Sequence, residues 1–165
     1  MIRPELVGVA EVPDGPPLRL FRRGADFMIV LERNELMSTR MSGSEVALGT
    51  MTCDRLGHRP APHLLIGGYG MGFTLRAALA ATGSKARMVV AELVPGILDW
   101  ARGPMAELHK GTLDDARVDI HVGDVGALIR SKKAAYDAIL LDVDNGPDGL
   151  SRPSNDSLYD REGLE

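Results

Sequence analysis

From residue 60 onward, short apolar runs alternate with segments that we interpret as helices, and this alternation constrains the fold more than any other feature. HLLIG and YDAILLD are apolar runs, ARMVVAEL is strand-like, and RVDIHV alternates Val118, Ile120 and Val122 with polar residues; the intervening segments are GFTLRAALAAT, PGILDWAR and DVGALIRS. Runs that are apolar throughout are typical of strands covered on both faces. The order β-α-β-α-β-α-β therefore predicts an α/β fold with a parallel sheet and right-handed crossovers.

Residues 1–59 have a different character. Three strand-like stretches, ELVGVAEV, LRLFRR and DFMIVLERNELM, are punctuated by the turn cluster PDGPP, and the segment SGSEVALGTMTCDRLG follows as a predicted helix. We therefore predict two domains, a small β-strand segment with one helix at 1–59 and a nucleoside-binding α/β domain at 60–165.

Composition excludes several classes of protein. The chain has 165 residues, a net charge of -4 and only 4% aromatic residues, which argues against binding to nucleic acids or to anionic membranes. No apolar run is long enough to span a bilayer. Cys53 is the only cysteine, so an internal disulfide is impossible and we expect a cytoplasmic protein with a small-molecule partner.

The loop after the first apolar run is rich in glycine. In LLIGGYGMGFTL, Gly68, Gly70 and Gly72 form the pattern G-x-G-x-G between a predicted strand and a predicted helix. Glycine there permits a tight turn and the close approach of a ligand. The dinucleotide pattern G-x-G-x-x-G would require a third glycine at the position of Phe73, so the spacing disfavours NAD.

Acidic residues follow the other three predicted strands. Glu92, Asp124 and Asp142 each stand at the carboxyl end of a strand, the edge where open α/β sheets bind ligands. Glu92 can accept both hydroxyls of a ribose, and Asp124 can accept from an adenine amino group. Each acid alone has a plain structural interpretation, and Asp124 in particular suits a helix N-cap. Their placement together with Gly68–Gly72 favours a nucleoside site.

The stretch LLDVDNGPDG invites a metal-binding interpretation, which its spacing does not support. Counting from Asp142, an EF-hand calcium loop needs an oxygen ligand at the fifth place and glycine at the sixth, where Gly146 and Pro147 stand. We therefore predict a structured turn with one working carboxylate, Asp142, and no metal.

Four of these motifs together resemble a known family. The segments LLIGGYGMG, VVAEL, IHVGDV and YDAILLDVDNGP, within about residues 62–147, resemble the spermidine synthase-like (aminopropyltransferase) branch of the class I S-adenosylmethionine-dependent methyltransferase superfamily. The resemblance implies a Rossmann-like fold that binds S-adenosylmethionine or its decarboxylated form as co-substrate. By motif position, Gly68, Gly70 and Gly72 would face this ligand, Glu92 would bind its ribose and Asp124 its adenine.

The same resemblance implies a catalytic role for the loop after the fourth strand. Asp142 takes the place of the catalytic aspartate that orients and helps to deprotonate the attacking amine, a reaction that needs a base because an ammonium has no lone pair. Asp144 or Asn145 takes the place of the second acid of the substrate loop.

The chain also departs from the pattern of that family. Gly70 stands where the family has an aspartate that grips the aminopropyl amine, and Ser44 and Glu45 are the nearest match to the segment that shapes the polyamine pocket. Among the methionines, Met71 is the one we expect near the ligand.

The number of strands bears on the completeness of the sheet. A class I methyltransferase sheet has seven strands, whereas the second part shows four, so the sheet is expected to be truncated after strand four or five. Strand four would then be an exposed apolar edge, which natural proteins avoid. Either the chain is a fragment, or another subunit covers the edge, as in a homodimer.

Three functions remain open at this point. The first is a spermidine synthase-like transferase that moves an aminopropyl group to an amine. The second is a methyltransferase that uses ordinary S-adenosylmethionine, which the missing acid at Gly70 favours. The third is a non-catalytic binding or assembly module with the same fold.

Overall fold

The computed structural model describes residues 3–143 and 153–161 of the chain, which form two four-stranded sheets. The N-terminal sheet consists of β1 (Glu5–Val12), β2 (Gly15–Arg23), β3 (Asp26–Leu31) and β4 (Asn34–Ser38). After α1 (Gly43–Leu56), the second sheet and its helices follow in the order β5 (His63–Gly67), α2 (Phe73–Ala81), β6 (Arg87–Glu92), α3 (Pro95–Arg102), α4 (Ala106–His109), β7 (Val118–Val122), α5 (Val125–Ser131) and β8 (Ala138–Leu141). Short 3-10 helices lie at Thr112–Asp114 and Pro153–Leu158.

The N-terminal sheet is an antiparallel meander with one strand more than the sequence predicts. Its order is β1-β2-β3-β4, and each pair of neighbouring strands is antiparallel. The predicted strand DFMIVLERNELM is in fact a hairpin, because the chain reverses between Leu31 and Asn34 with Glu32 at φ 54°. The prediction of a single strand there is wrong, since this turn contains none of the glycine or proline residues that usually mark one.

The second sheet confirms the predicted α/β architecture. Its strands are all parallel, in the order β7-β6-β5-β8, so that the first strand of this part lies in the middle of the sheet. This order brings the carboxyl ends of β5, β6 and β8 side by side, and a ligand crevice is expected where the order reverses, between β5 and β8.

The two sheets share one hydrophobic core. Helix α3 packs against β1, and Gly96 and Gly8 leave room for this contact, because a Cβ at Gly96 would clash with Ala10 and one at Gly8 with the indole of Trp100. Trp100 is 5% exposed and belongs to the main core cluster. One hydrophobic core extends across the predicted domain boundary after residue 59. The division into two domains remains a prediction.

Helices α1 and α2 pack closely against each other and bring the N-terminal helix to the ligand edge. A Cβ at Gly49 of α1 would lie 2.8 Å from the Cβ of Ala77 and 2.8 Å from the carbonyl oxygen of Thr74, so only glycine allows this approach. Within residues 3–143 and 153–161, none of the helices combines the length and the apolar character needed to cross a membrane.

Candidate functional site

A cavity of about 390 Å³ lies between the carboxyl ends of the parallel strands and the N-terminal sheet. The parallel sheet contributes residues that follow β5, β6, β7 and β8, and the N-terminal sheet contributes the β1–β2 turn and a group of apolar side chains. These apolar side chains are Leu18, Ile29, Leu31, Leu36 and Met37. The volume and the mixture of apolar walls with a few polar groups are typical of small-molecule sites.

Two of the three predicted glycines line this cavity. Gly68 has a φ of 84° and Gly70 a φ of 54°, in the left-handed region that favours glycine. A Cβ at Gly68 would clash with the carbonyl oxygen of Asp142, and a Cβ at Gly70 would lie 3.0 Å from both Sδ and Cε of Met37. The loop therefore packs against the catalytic candidate on one side and against the N-terminal sheet on the other.

Gly72 has a different position, beneath the loop and at the start of α2. It is not among the residues that line the cavity, and a Cβ there would lie 2.6 Å from the hydroxyl of Tyr69 and 2.9 Å from Nδ1 of His109. The rings of Tyr69 and His109 are both buried, with centroids 5.3 Å apart. Burial raises the pKa of Tyr69 to about 12 and lowers the pKa of His109 to about 4, so both are neutral at pH 7.

Glu92, at the end of β6, lines the cavity and is only 5% exposed. Its Oε2 accepts a hydrogen bond from the backbone N–H of Tyr69 at 2.8 Å, and its Oε1 accepts one from the N–H of Val94 at 2.9 Å. Burial raises the pKa of this carboxyl, and the backbone N–H groups oppose that rise. Glu92 therefore both ties the glycine loop to β6 and presents a carboxylate to the cavity.

The sequence leaves two roles open for Asp124, a helix N-cap and a group that faces the ligand, and its position is compatible with both. It is the N-cap of α5, where its side chain accepts from the N–H groups of Gly126 at 3.1 Å and Ala127 at 3.2 Å, and it also lines the cavity. The N-cap is thus observed. The contact with an adenine remains a prediction.

Asp142 follows β8 and lines the cavity, where its Oδ2 lies 3.0 Å from the hydroxyl oxygen of Thr74. The pKa of Asp142 is raised to about 6, chiefly by burial and further by the nearby charges of Glu45 and Glu92, while the hydrogen bond from Thr74 opposes the rise. A carboxyl group with this pKa exchanges a proton readily near neutral pH, as a general base must.

Thr74 and Glu45 are functional candidates that the motifs alone do not identify. Thr74 is buried in the first turn of α2, and its hydroxyl lies 3.3 Å from the carbonyl oxygen of Glu45 in the first turn of α1. The sequence offers Glu45 only as a weak family match, because its closeness to Asp142 depends on how α1 packs against α2.

Met37 is a cavity residue that no motif of the sequence identifies. The expected methionine, Met71, is 3% exposed and belongs to the main hydrophobic core, so this prediction is wrong. Met37, from β4, lines the cavity in its place.

The remaining predictions concern the substrate loop and metals. Asp144 and Asn145 lie outside the residues that the structure describes. Within the described ranges, no group of three or more His, Cys, Asp or Glu side chains is placed to hold a metal ion.

Curated proteins named polyamine aminopropyltransferase are similar to this chain in sequence. The protein of Sulfolobus acidocaldarius is 32% identical over 81 residues, which are 49% of this chain and 26% of that protein. The protein of Saccharolobus solfataricus is 30% identical over 107 residues, 65% of this chain and 34% of that protein. The chain therefore spans about a third or less of the length of these relatives. No family model matches it.

Solved spermidine synthases have the same fold. A spermidine synthase in complex with the transition state analogue AdoDATO superimposes with a TM-score of 0.67 and 20% identity, over 86% of this chain and 49% of that one. The spermidine synthase from Thermotoga maritima gives a TM-score of 0.68 at 20% identity, over 86% and 48%.

The parallel sheet, the glycine loop and the cavity at the strand ends define a protein with an α/β Rossmann-like fold. An antiparallel N-terminal sheet forms the opposite wall of the cavity. The chain is similar in fold to solved spermidine synthases and in sequence to curated polyamine aminopropyltransferases.

Proposed function

We propose that the chain binds decarboxylated S-adenosylmethionine and transfers its aminopropyl group to an amine. The observation that carries this proposal is the charge of the cavity wall. Its charged residues, within the part of the chain that the structure describes, are four acids and no Lys, Arg or His: Asp14, Glu92, Asp124 and Asp142.

This distribution of charge favours one donor over the other. The decarboxylated donor carries a sulfonium and an ammonium, which acids attract, whereas S-adenosylmethionine also carries a carboxylate, which would meet no cation on the cavity wall. The absence of an acid at Gly70 does not create room for that carboxylate, because Met37 occupies the adjoining space. These two features favour aminopropyl transfer over the alternative of methyl transfer.

The proposed position of the donor follows from the order of the polar groups. Glu92 would accept from the ribose hydroxyls and Asp124 from the adenine amino group, with Val94 and Ile97 as apolar cover near α3. The reacting end of the donor would then lie toward Asp142, across the glycine loop.

Asp142 would act as the base in the transfer. The acceptor, bound as an ammonium, loses one proton to the Asp142 carboxylate, and the lone pair of the resulting amine then attacks the carbon attached to the sulfonium. The carbon–sulfur bond breaks, and its electron pair stays on sulfur, so the products are a neutral thioether and a longer amine. Glu45, whose charge already acts on Asp142, would attract the ammonium form of the acceptor to the same end of the cavity.

The finer expectations of a cytoplasmic location, a homodimer and a substrate loop at Asp144 and Asn145 remain part of this proposal. The dimer is supported by β8, which pairs with β5 alone among the described strands and leaves Ile139 45% exposed. Sedimentation equilibrium measures the oligomeric state directly.

Calorimetric titration with the two donors tests the function. Decarboxylated S-adenosylmethionine should bind at least about tenfold more tightly than S-adenosylmethionine, and at 100 times its Kd it should stabilise the protein by about 2.7 kcal/mol. Incubation with a diamine should then release methylthioadenosine. Equal or tighter binding of S-adenosylmethionine would overturn the proposal in favour of methyl transfer.

The Glu92→Ala variant provides the control for the binding site. It removes the proposed ribose acceptor and should abolish binding of both donors. Unchanged binding by this variant would contradict the assignment of Glu92.

A further inference from the structure

Three residues, Glu92, Gly68 and Asp142, limit the path that the donor can take through the cavity. Glu92 accepts from the N–H of Tyr69, and the Gly68 backbone touches the backbone of Asp142, so the glycine loop lies between the two acids. A nucleoside with its ribose at Glu92 and its reacting carbon at Asp142 must therefore carry its 5′ sulfur across Gly68 and Gly70.

Met37 closes this passage from the opposite side. Its Sδ and Cε both lie 3.0 Å from the position that a Cβ at Gly70 would occupy, and both Met37 and Gly70 line the cavity. A thioether has neither a full charge nor a hydrogen-bond donor. The part of the ligand that lies against Met37 must therefore be apolar and small.

A β-bulge explains how Met37 reaches this position. In the pairing of β3 with β4, Met37 lies opposite Ile29 and Glu35 lies opposite Val30, so Leu36 is an extra residue in β4. Side chains of consecutive strand residues normally point to opposite faces, but here Leu36 and Met37 both line the cavity. Bulges are frequent next to active sites because they redirect a side chain in this way.

We propose that Met37 is the specificity-determining residue of the site and limits the size of the substituent on the donor sulfur. This inference rests on the proposed function, because it assumes a thioadenosine-type ligand. A methyl or an unbranched methylene chain fits beside the contact between Met37 and Gly70, whereas a branched substituent collides with the end of the Met37 side chain.

Binding of two thioadenosines to full-length variants tests the inference. By calorimetric titration, the unmodified chain should bind 5′-methylthioadenosine at least about tenfold more tightly than 5′-isobutylthioadenosine. The Met37→Val variant keeps a residue suited to a strand but removes Sδ and Cε, and it should reduce this ratio to about threefold or less. The Met37→Ala variant makes the same test if the valine variant is poorly folded.

Two controls separate this effect from a general loosening of the cavity. The Met37→Leu variant retains most of the side-chain volume and should keep the original ratio. The Leu31→Ala variant truncates another apolar residue of the cavity wall and should also keep it. An original ratio in both truncated Met37 variants, or an equal relaxation in Leu31→Ala, would overturn the inference while leaving the proposed function intact. If the unmodified chain binds neither compound, the proposed function fails, and this inference fails with it.

Discussion

The Glu92 end of the cavity and the Asp142 end both bury a carboxylate, but they surround it with different partners. Glu92 is held by the backbone N–H groups of Tyr69 and Val94, at 2.8 and 2.9 Å. Asp142 has the hydroxyl of Thr74 at 3.0 Å, and the charge of Glu45 acts against its ionisation. Backbone donors are fixed by the fold, whereas a threonine hydroxyl can rotate.

In the proposed function, this difference separates a carboxylate that binds the donor from one that takes part in the reaction. At Glu92 burial also raises the pKa, but two backbone N–H groups fix both oxygens in place, which suits an acceptor for ribose hydroxyls. At Asp142 the pKa is raised to about 6, so the proton can be taken up and released near neutral pH. Two acids at the ends of β6 and β8, the strands on either side of β5, can thus have different tasks because their hydrogen-bond donors differ.

The largest effect is expected from Asp142→Asn on turnover. The amide keeps the size of the side chain and can still accept from Thr74, but it cannot take the proton of the amine. We expect kcat to fall by about 10² to 10⁴, while the Kd of the donor changes by less than about threefold. Single-turnover rates and calorimetric titration measure the two quantities. A variant with more than half of the original rate would show that Asp142 is not the base.

The same two positions should have opposite effects on stability. In Glu92→Gln the cost of burying a charge is also removed, but one oxygen is replaced by an amino group that faces a backbone N–H. We expect this meeting of two donors to dominate, so the free energy of unfolding should fall by about 1 to 3 kcal/mol. In Asp142→Asn the cost of burying a charge is removed, and the free energy of unfolding at pH 7 should rise by about 1 to 2 kcal/mol. Urea denaturation of both variants measures these free energies of unfolding. Changes of the same sign in the two variants would contradict the prediction.

The pH dependence provides a check on the stability effect. Because the folded-state pKa of Asp142 is raised to about 6, the folded chain binds the proton more tightly than the unfolded chain does. The contribution of Asp142 to stability therefore falls as pH rises from about 4 to about 6. Asp142→Asn should remove this part of the slope, as measured by denaturation at a series of pH values.

The smallest effects are expected from the neighbours of Asp142. Activity should fall as pH drops through about 6, when Asp142 becomes protonated. Thr74→Val removes the donor that lowers this pKa, so the acid limb of the profile should move to higher pH. Glu45→Gln removes a charge that raises the pKa, so the limb should move to lower pH, each by less than about one pH unit. Profiles of kcat against pH measure the shifts, and a shared direction would refute the roles assigned here.

The parts of the fold that the sequence predicts are those determined by local pattern. The apolar runs that form β5 and β6 are largely buried strands, and the order of the runs along the chain is sufficient to predict a parallel sheet with acids at one edge. The N-cap formed by Asp124 is also predictable from local pattern, because an acid directly before a helix commonly accepts from its first N–H groups.

The features that the sequence does not predict depend on contacts between distant segments. Glu32 adopts a positive φ in a turn without glycine, which divides one predicted strand into two. Met37 reaches the cavity through a β-bulge, and Glu45 reaches Asp142 through the packing of two helices. None of these arrangements leaves a periodic signal in the chain, because each depends on the shape of the neighbouring surface.

The close contact at Gly49 has a consequence for the reacting end of the cavity. With no side chain between them at that point, the backbones of α1 and α2 pack directly against each other. The Thr74 hydroxyl of α2 therefore lies 3.3 Å from the Glu45 carbonyl oxygen of α1 and 3.0 Å from Oδ2 of Asp142. A bulkier residue at position 49 would push the two helices apart and so alter the surroundings of the Asp142 carboxyl from outside the parallel sheet.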